Sequence, residues 1–84
     1  MYRMLHGAPQ TELEKFRGLL EYRNRMALPE ESFSEGGLLR SLRRPAAMNP
    51  PEENFLGAAG YIRIHGRHIE VTESGNRLLE EMRR

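Results

Sequence analysis

Eighty-four residues, 38% of them apolar and 30% charged, make one domain that can bury only about 60 to 65% of its unfolded surface, so association into a homodimer is expected. A formal net charge of +1 is too evenly mixed for wholesale disorder and too small by itself to argue for nucleic acid. Cysteine and Asp are absent, which excludes disulfide frameworks, thiol catalysis and thiolate zinc sites. No stretch approaches the roughly 18 to 20 apolar residues that span a bilayer, and the N-terminus lacks an apolar signal core, so a soluble cytoplasmic protein without a membrane partner is expected.

Residues 1–10 show no period and contain Gly7 and Pro9, which predicts an N-terminal arm or short strand ahead of a domain over residues 11–84. Thr11 followed by Glu14 is a capping-box pair. Leu13, Phe16 and Leu20, with Leu19, Tyr22 and Met26, form one broad apolar stripe at helical spacing, predicting a first helix from about Glu12 to Ala27. Gly18 weakens that helix by roughly 1 kcal/mol relative to Ala and is read as a mark of close helix crossing.

Pro29, Glu30 and Glu31 suit a helix start, and Ser32 with Glu35 offers a second capping box before Gly36-Gly37 interrupts the pattern. The sequence leaves open whether residues 28–50 hold one helix or two. Leu38, Leu39 and Leu42 share one helical face, Arg40, Arg43 and Arg44 lie mostly on the other, and Pro45 ends the run. Asn49 caps a third helix, with Pro50 at its first position, Glu52 and Glu53 where the helix dipole favours acids, and Phe55, Leu56 and Ala59 turned inward. Gly60 is expected to end it.

The run Tyr61–Val71 reads as a hairpin. A two-residue loop at Gly66-Arg67 pairs His65 with His68, Ile64 with Ile69, Arg63 with Glu70 and Ile62 with Val71. One register then gathers four β-branched apolar residues on one face and sets Arg63 against Glu70 on the other. Gly in the first loop position suits a type II′ turn. Thr72 is the N-cap of a last helix that buries Leu78, Leu79 and Met82.

The segment Gly60-Tyr61-Ile62, Gly66-Arg67, then Val71-Thr72-Glu73-Ser74-Gly75-Asn76-Arg77-Leu78-Leu79 resembles winged-helix (winged helix-turn-helix) regulators of the bacterial type. In that family a short wing returns into a Thr-Glu-x-Gly segment opening a Leu-rich helix. The resemblance covers about a third of the chain, chiefly residues 60–80; upstream of it the element order alone agrees. It implies a mainly α (α+β) fold: three helices, a two-stranded wing and a C-terminal helix. It also implies that the third helix enters a DNA major groove while the wing tip touches the adjacent minor groove or backbone.

On that reading the candidate contacts to double-stranded DNA are Arg67 at the wing tip, Arg40, Arg43 and Arg44 on phosphates, and Asn54 on a base. Against it, Pro50-Pro51-Glu52-Glu53 puts two acids at the start of the third helix, where they would face phosphates. A second reading therefore keeps the framework and changes the partner: a protein-binding adaptor, such as a regulatory subunit, an antirepressor or a phage-type inhibitor, that does not read DNA. His65 and His68 face each other across the turn but lack a fixed third ligand, so no metal site is assigned. Nucleophile-elbow and phosphate-loop patterns are absent, and the paired glutamates sit where helix dipoles explain them. Neither an enzyme nor a cofactor is expected.

Overall fold

The computed structural model describes residues 10–83, so all but the last residue of the expected arm lies outside it. The elements run α1 (Glu12–Met26), α2 (Glu35–Arg43), α3 (Pro50–Ala58), β1 (Ile62–His65), β2 (His68–Val71) and α4 (Glu73–Met82). A mainly helical α+β chain with one two-stranded antiparallel sheet results. No helix among the described residues is long and apolar enough to cross a membrane.

α1 begins with the expected reciprocal box: Glu14 N–H donates to Thr11 Oγ1 at 3.1 Å, and Thr11 N–H to Glu14 Oε1 at 2.9 Å. Two further open amides of this helix end, Glu12 N–H and Leu13 N–H, donate to Glu81 of α4 at 3.3 and 2.7 Å. α4 thus caps α1 from 68 residues away, satisfying donors that the first turn cannot satisfy itself. Glu12, buried at 7% exposure, stays near two cations, Lys15 at 3.6 Å and Arg77 at 3.8 Å.

Between α1 and α2 the chain makes one 3-10 turn, Pro29–Glu31, and α2 starts at Ser34, whose Oγ accepts from Gly37 N–H at 3.0 Å. The sequence reading is corrected here twice. Ser34, not Ser32, is the cap, and Gly36-Gly37 lies inside the first turn of α2 instead of interrupting it. The physical cause is tertiary: Asn24 of α1 both donates to Phe33 O (2.8 Å) and accepts from Phe33 N–H (2.9 Å), pinning the approach to the helix. Arg17 then grips Glu35 with two bonds of 3.0 and 3.1 Å. Residues 28–50 therefore hold one α-helix flanked by two 3-10 turns, the second at Pro45–Ala47.

α3 keeps its predicted cap: Asn49 Oδ1 accepts from Glu52 N–H at 2.9 Å while Glu52 Oε1 accepts from Asn49 N–H at 3.1 Å. It closes in a Schellman arrangement around Gly60 (φ +86°), with Tyr61 N–H donating to Leu56 O and Gly60 N–H to Gly57 O. The chain passes from there directly into β1.

The hairpin register is the one deduced from the sequence, pair for pair. Gly66 has φ +60° and Arg67 does not have positive φ, which selects the type II′ turn over type I′. Three residues of the four-residue apolar face are covered: Ile62 is buried, and Val71 and Ile69 are half-buried against the core, whereas Ile64 is 49% exposed.

Thr72 fastens the hairpin base in three directions. Its Oγ1 accepts from Gly75 N–H (3.2 Å) and donates to Gly60 O (2.6 Å), and its N–H donates to Tyr61 O (3.0 Å). Gly75 lies against the Tyr61 carbonyl so closely that a Cβ there would sit 2.3 Å from the oxygen. The Thr-Glu-Ser-Gly run is thus a joint between α4 and the start of β1.

Phe16, Leu20, Leu38, Leu39, Leu42, Met48, Leu56, Tyr61, Ile62 and Leu78 form the core. Burying each large side chain contributes about 1.5 to 3 kcal/mol. The stripe predicted as one face of α1 divides: Phe16 and Leu20 are buried, while Leu19, Tyr22 and Met26 are 42%, 59% and 67% exposed. No described residue comes within 4 Å of a Cβ built on Gly18, so this glycine marks no crossing between the described helices.

Candidate functional site

Arg40, Arg43 and Arg44 lie at the C-terminal end of α2, opposite Leu38, Leu39 and Leu42, and all three are exposed. Pro45 follows at once. The turn it opens, Pro45–Ala47, packs beside β2. This packing brings the end of α2 to the hairpin side of the molecule, the hairpin's exposed tip being Arg67.

Pairing separates these arginines from the others. Arg17 is bonded to Glu35, Arg25 lies 3.6 Å from Glu21, Arg63 3.9 Å from Glu70, and Arg77 is bonded to Glu73. Arg23 donates to Glu31 O and stacks 3.8 Å above the Phe33 ring. Arg40, Arg43, Arg44 and Arg67, with Arg83 near the chain end, have neither an acidic partner nor a hydrogen bond within the protein among the described residues. Four of these five free guanidiniums belong to α2 and the hairpin tip, where each keeps five donors available for a planar anion.

The acids at the start of α3 do not stand free in the same way. Glu52 is half-buried, with its carboxylate turned back onto Asn49 N–H. It lines a hollow of about 360 Å3 together with Arg40, Ser41, Arg44 and Asn49, so positive charge faces it. Glu53 is half-buried. Asn54 is exposed, as a base-reading residue must be, but Pro50, Pro51 and Ala58 make up the rest of the exposed surface of α3, which carries no cation.

On the hairpin, His65 Nε2 lies 3.0 Å from Glu70 Oε1, nearer than Arg63. The expected Arg63–Glu70 pair is therefore shared with a diagonal histidine that sequence pairing did not indicate. Among the described residues no three His or Glu side chains gather as metal ligands; His6 lies outside them. Tyr61, 1% exposed, is packed edge-on against Phe16 at 5.9 Å. Its phenol pKa is pushed up to about 12, first by burial and then by the negative charges of Glu12 and Glu81. Its hydroxyl has no hydrogen-bond partner among the described residues.

A second surface contains none of these four arginines. Leu19, Tyr22 and Met26 of α1, with Phe55, Ala58 and Ala59 of α3, line an open, mainly apolar groove of about 470 Å3, to which Arg23 and Glu31 add charged edges. The sequence puts these α1 side chains on one broad apolar stripe; periodicity finds such a face without saying what covers it.

Comparison with family models, curated proteins and solved structures finds no match for this chain.

Proposed function

We propose that the chain is a small winged-helix DNA-binding protein, a transcriptional regulator that holds duplex phosphates through Arg40, Arg43, Arg44 and the wing-tip Arg67, with Asn54 turned to a base edge. The observation that carries this reading is that four of the five partnerless arginines among the described residues lie on the end of α2 and the hairpin tip, the fifth being Arg83 near the chain end, while Arg17, Arg23, Arg25, Arg63 and Arg77 are tied to acids, a carbonyl or a ring. Free guanidiniums release the counterions condensed on DNA, whereas paired ones must first break a bond.

Titration of duplex DNA at several salt concentrations tests it. Four phosphate contacts predict affinity falling roughly 100-fold between about 50 and 200 mM salt, and Arg67→Ala should weaken binding of all sequences while lowering the salt slope by about one. Affinity indifferent to salt and to Arg67→Ala refutes the reading.

The uncharged exposed face of α3 favours a second reading, in which the same framework binds a protein and does not read DNA. In that case duplex binding is absent at low salt, and the partner's affinity depends on Asn54 and Ala58 instead of Arg67.

A further inference from the structure

We infer that the exposed face of α1 is the seam of a two-fold homodimer in which the helix packs antiparallel against its copy. Lys15, Leu19, Tyr22 and Met26 follow one another at intervals of four, three and four residues, the spacing of a helix–helix seam. None of the last three is covered by the described residues: their exposures are 42%, 59% and 67%, and Leu28 beyond the helix end adds another side chain at 61%. These four residues present on the order of 450 Å2, within the 300 to 600 Å2 of the largest patch on a typical monomer. A standard interface takes roughly 800 Å2 from each partner, so this patch would supply about half of it and the groove wall of α3 with the charged rim the rest.

Charge selects the occupant and its direction. A hollow lined by Gln10, Lys15, Gly18 and Leu19 opens at one end of the seam; Glu31 lines the groove at the other end with exposed Glu30 beside it, and the Arg23 guanidinium that shares this end is held on Glu31 O and the Phe33 ring. Antiparallel pairing about a two-fold axis near Tyr22 lays apolar on apolar and sets Lys15 against Glu30 and Glu31 of the second copy. Parallel pairing would oppose lysine to lysine and acids to acids. Gly18 borders the seam with open space above its backbone; the glycine that no contact among the described residues explains is placed where a second helix must approach closely. Dimerisation through α1 stands apart from DNA binding, since the seam contains none of the four arginines assigned to phosphate.

Sedimentation equilibrium on the full chain up to about 100 μM, a range in which interfaces of this size associate, should show a dimer. Tyr22→Glu and Met26→Glu, at exposed positions, should each weaken it at least 10-fold with an unchanged far-UV spectrum. Lys15→Glu should weaken it, and adding Glu30→Lys and Glu31→Lys should restore it, a rescue that a structural role for Lys15 would not give. Carbodiimide coupling adds a positional readout. About 16 Å of helix separates Lys15 from Met26, so an amide between Lys15, the chain's one lysine, and Glu30 or Glu31 forms between copies and not within one. A monomer at about 100 μM, a dimer indifferent to Tyr22→Glu, the absence of an amide from Lys15 to Glu30 or Glu31 (as opposed to Glu12, 3.6 Å away in the same chain), or association with a different protein alone overturns the inference. Arg40→Ala with Arg44→Ala should leave the dimer intact while reducing DNA affinity, so each reading can fail without the other.

Discussion

Gly75→Ala asks whether the joint between α4 and the hairpin limits the stability of the domain. The helical backbone at Gly75 accepts any L-residue, and in a helix interior Ala is favoured over Gly by about 1 kcal/mol. Packing opposes this: the added Cβ would lie 2.3 Å from Tyr61 O and 2.7 Å from Val71 Cγ1, about 1 Å inside ordinary contact. Moving α4 away by that distance stretches two bonds that close the hairpin base, Thr72 N–H to Tyr61 O at 3.0 Å and Thr72 Oγ1–H to Gly60 O at 2.6 Å. Each contributes about 1 kcal/mol, and overpacking adds about 1 to 3 kcal/mol. After the helix gain is subtracted, a net loss of about 2 to 4 kcal/mol remains, which lowers the melting temperature of a domain this size by roughly 8 to 30 °C. Circular dichroism melts and urea titrations measure it, with Gly18→Ala as the matched control. At Gly18 a Cβ meets nothing within 4 Å inside the chain, so the same substitution should stabilise the folded monomer by about 0.5 to 1 kcal/mol. If both substitutions stabilise, the close approach of α4 to Tyr61 is not what requires glycine.

Glu81→Ala removes the acceptor for two amides at the start of α1 and should cost about 1 to 2 kcal/mol, read from urea unfolding, whereas Glu81→Gln retains an acceptor oxygen and should recover part of the loss. Asn24→Ala breaks both bonds to Phe33 and should cost about 1 to 3 kcal/mol, with amide exchange quickened in residues 28–34. Tyr61 gives a pH dependence. Its folded pKa of about 12 lies above the usual value near 10, so in alkali the unfolded chain releases this proton first. The stability it contributes is therefore complete below about pH 10 and is lost as pH rises through about 12, and Tyr61→Phe should abolish this alkaline component. Absorbance at 295 nm should show one late-titrating phenol that returns to about 10 in denaturant.

The hairpin was legible because its constraints are local: a two-residue loop with glycine first permits one register, and side-chain alternation then puts Ile62 and Val71 together over the core. The caps at Thr11, Asn49 and Thr72 were legible for the same reason, each being answered within three residues. The start of α2 was not legible. Gly36-Gly37 carries low helix propensity, and what overrides it is the clamp from Asn24 and Arg17, groups 9 to 18 residues distant from their partners. The α1 stripe misled in another way, since six apolar residues at helical spacing say that faces will be covered without saying by which chain. The candidate arginines could be named from sequence, but what distinguishes Arg40 from Arg17 is the absence of a partner, which depends on where Glu35 and the other acids fall in three dimensions.

Glu52 decides how much weight the acidic start of α3 carries against DNA. Read along the chain, Glu52 and Glu53 are charges at the tip of a recognition helix, each weakening attraction to the backbone. In the fold, Glu52 accepts from Asn49 N–H at 3.1 Å and shares a hollow with Arg40 and Arg44, so it both closes the capping box and faces the field of two arginines. Glu52→Gln separates these roles: glutamine can complete the same box while the negative charge disappears. If Arg40 and Arg44 hold phosphate, the variant should keep the parent's stability within about 0.5 kcal/mol and bind duplex several-fold more tightly at low salt, with the gain shrinking as salt is raised. The adaptor reading predicts no gain, because a basic or apolar protein partner does not benefit from removing this acid. Duplex affinity unchanged by Glu52→Gln, in a variant whose melt matches the parent, would mean that the arginines at the end of α2 face something other than DNA.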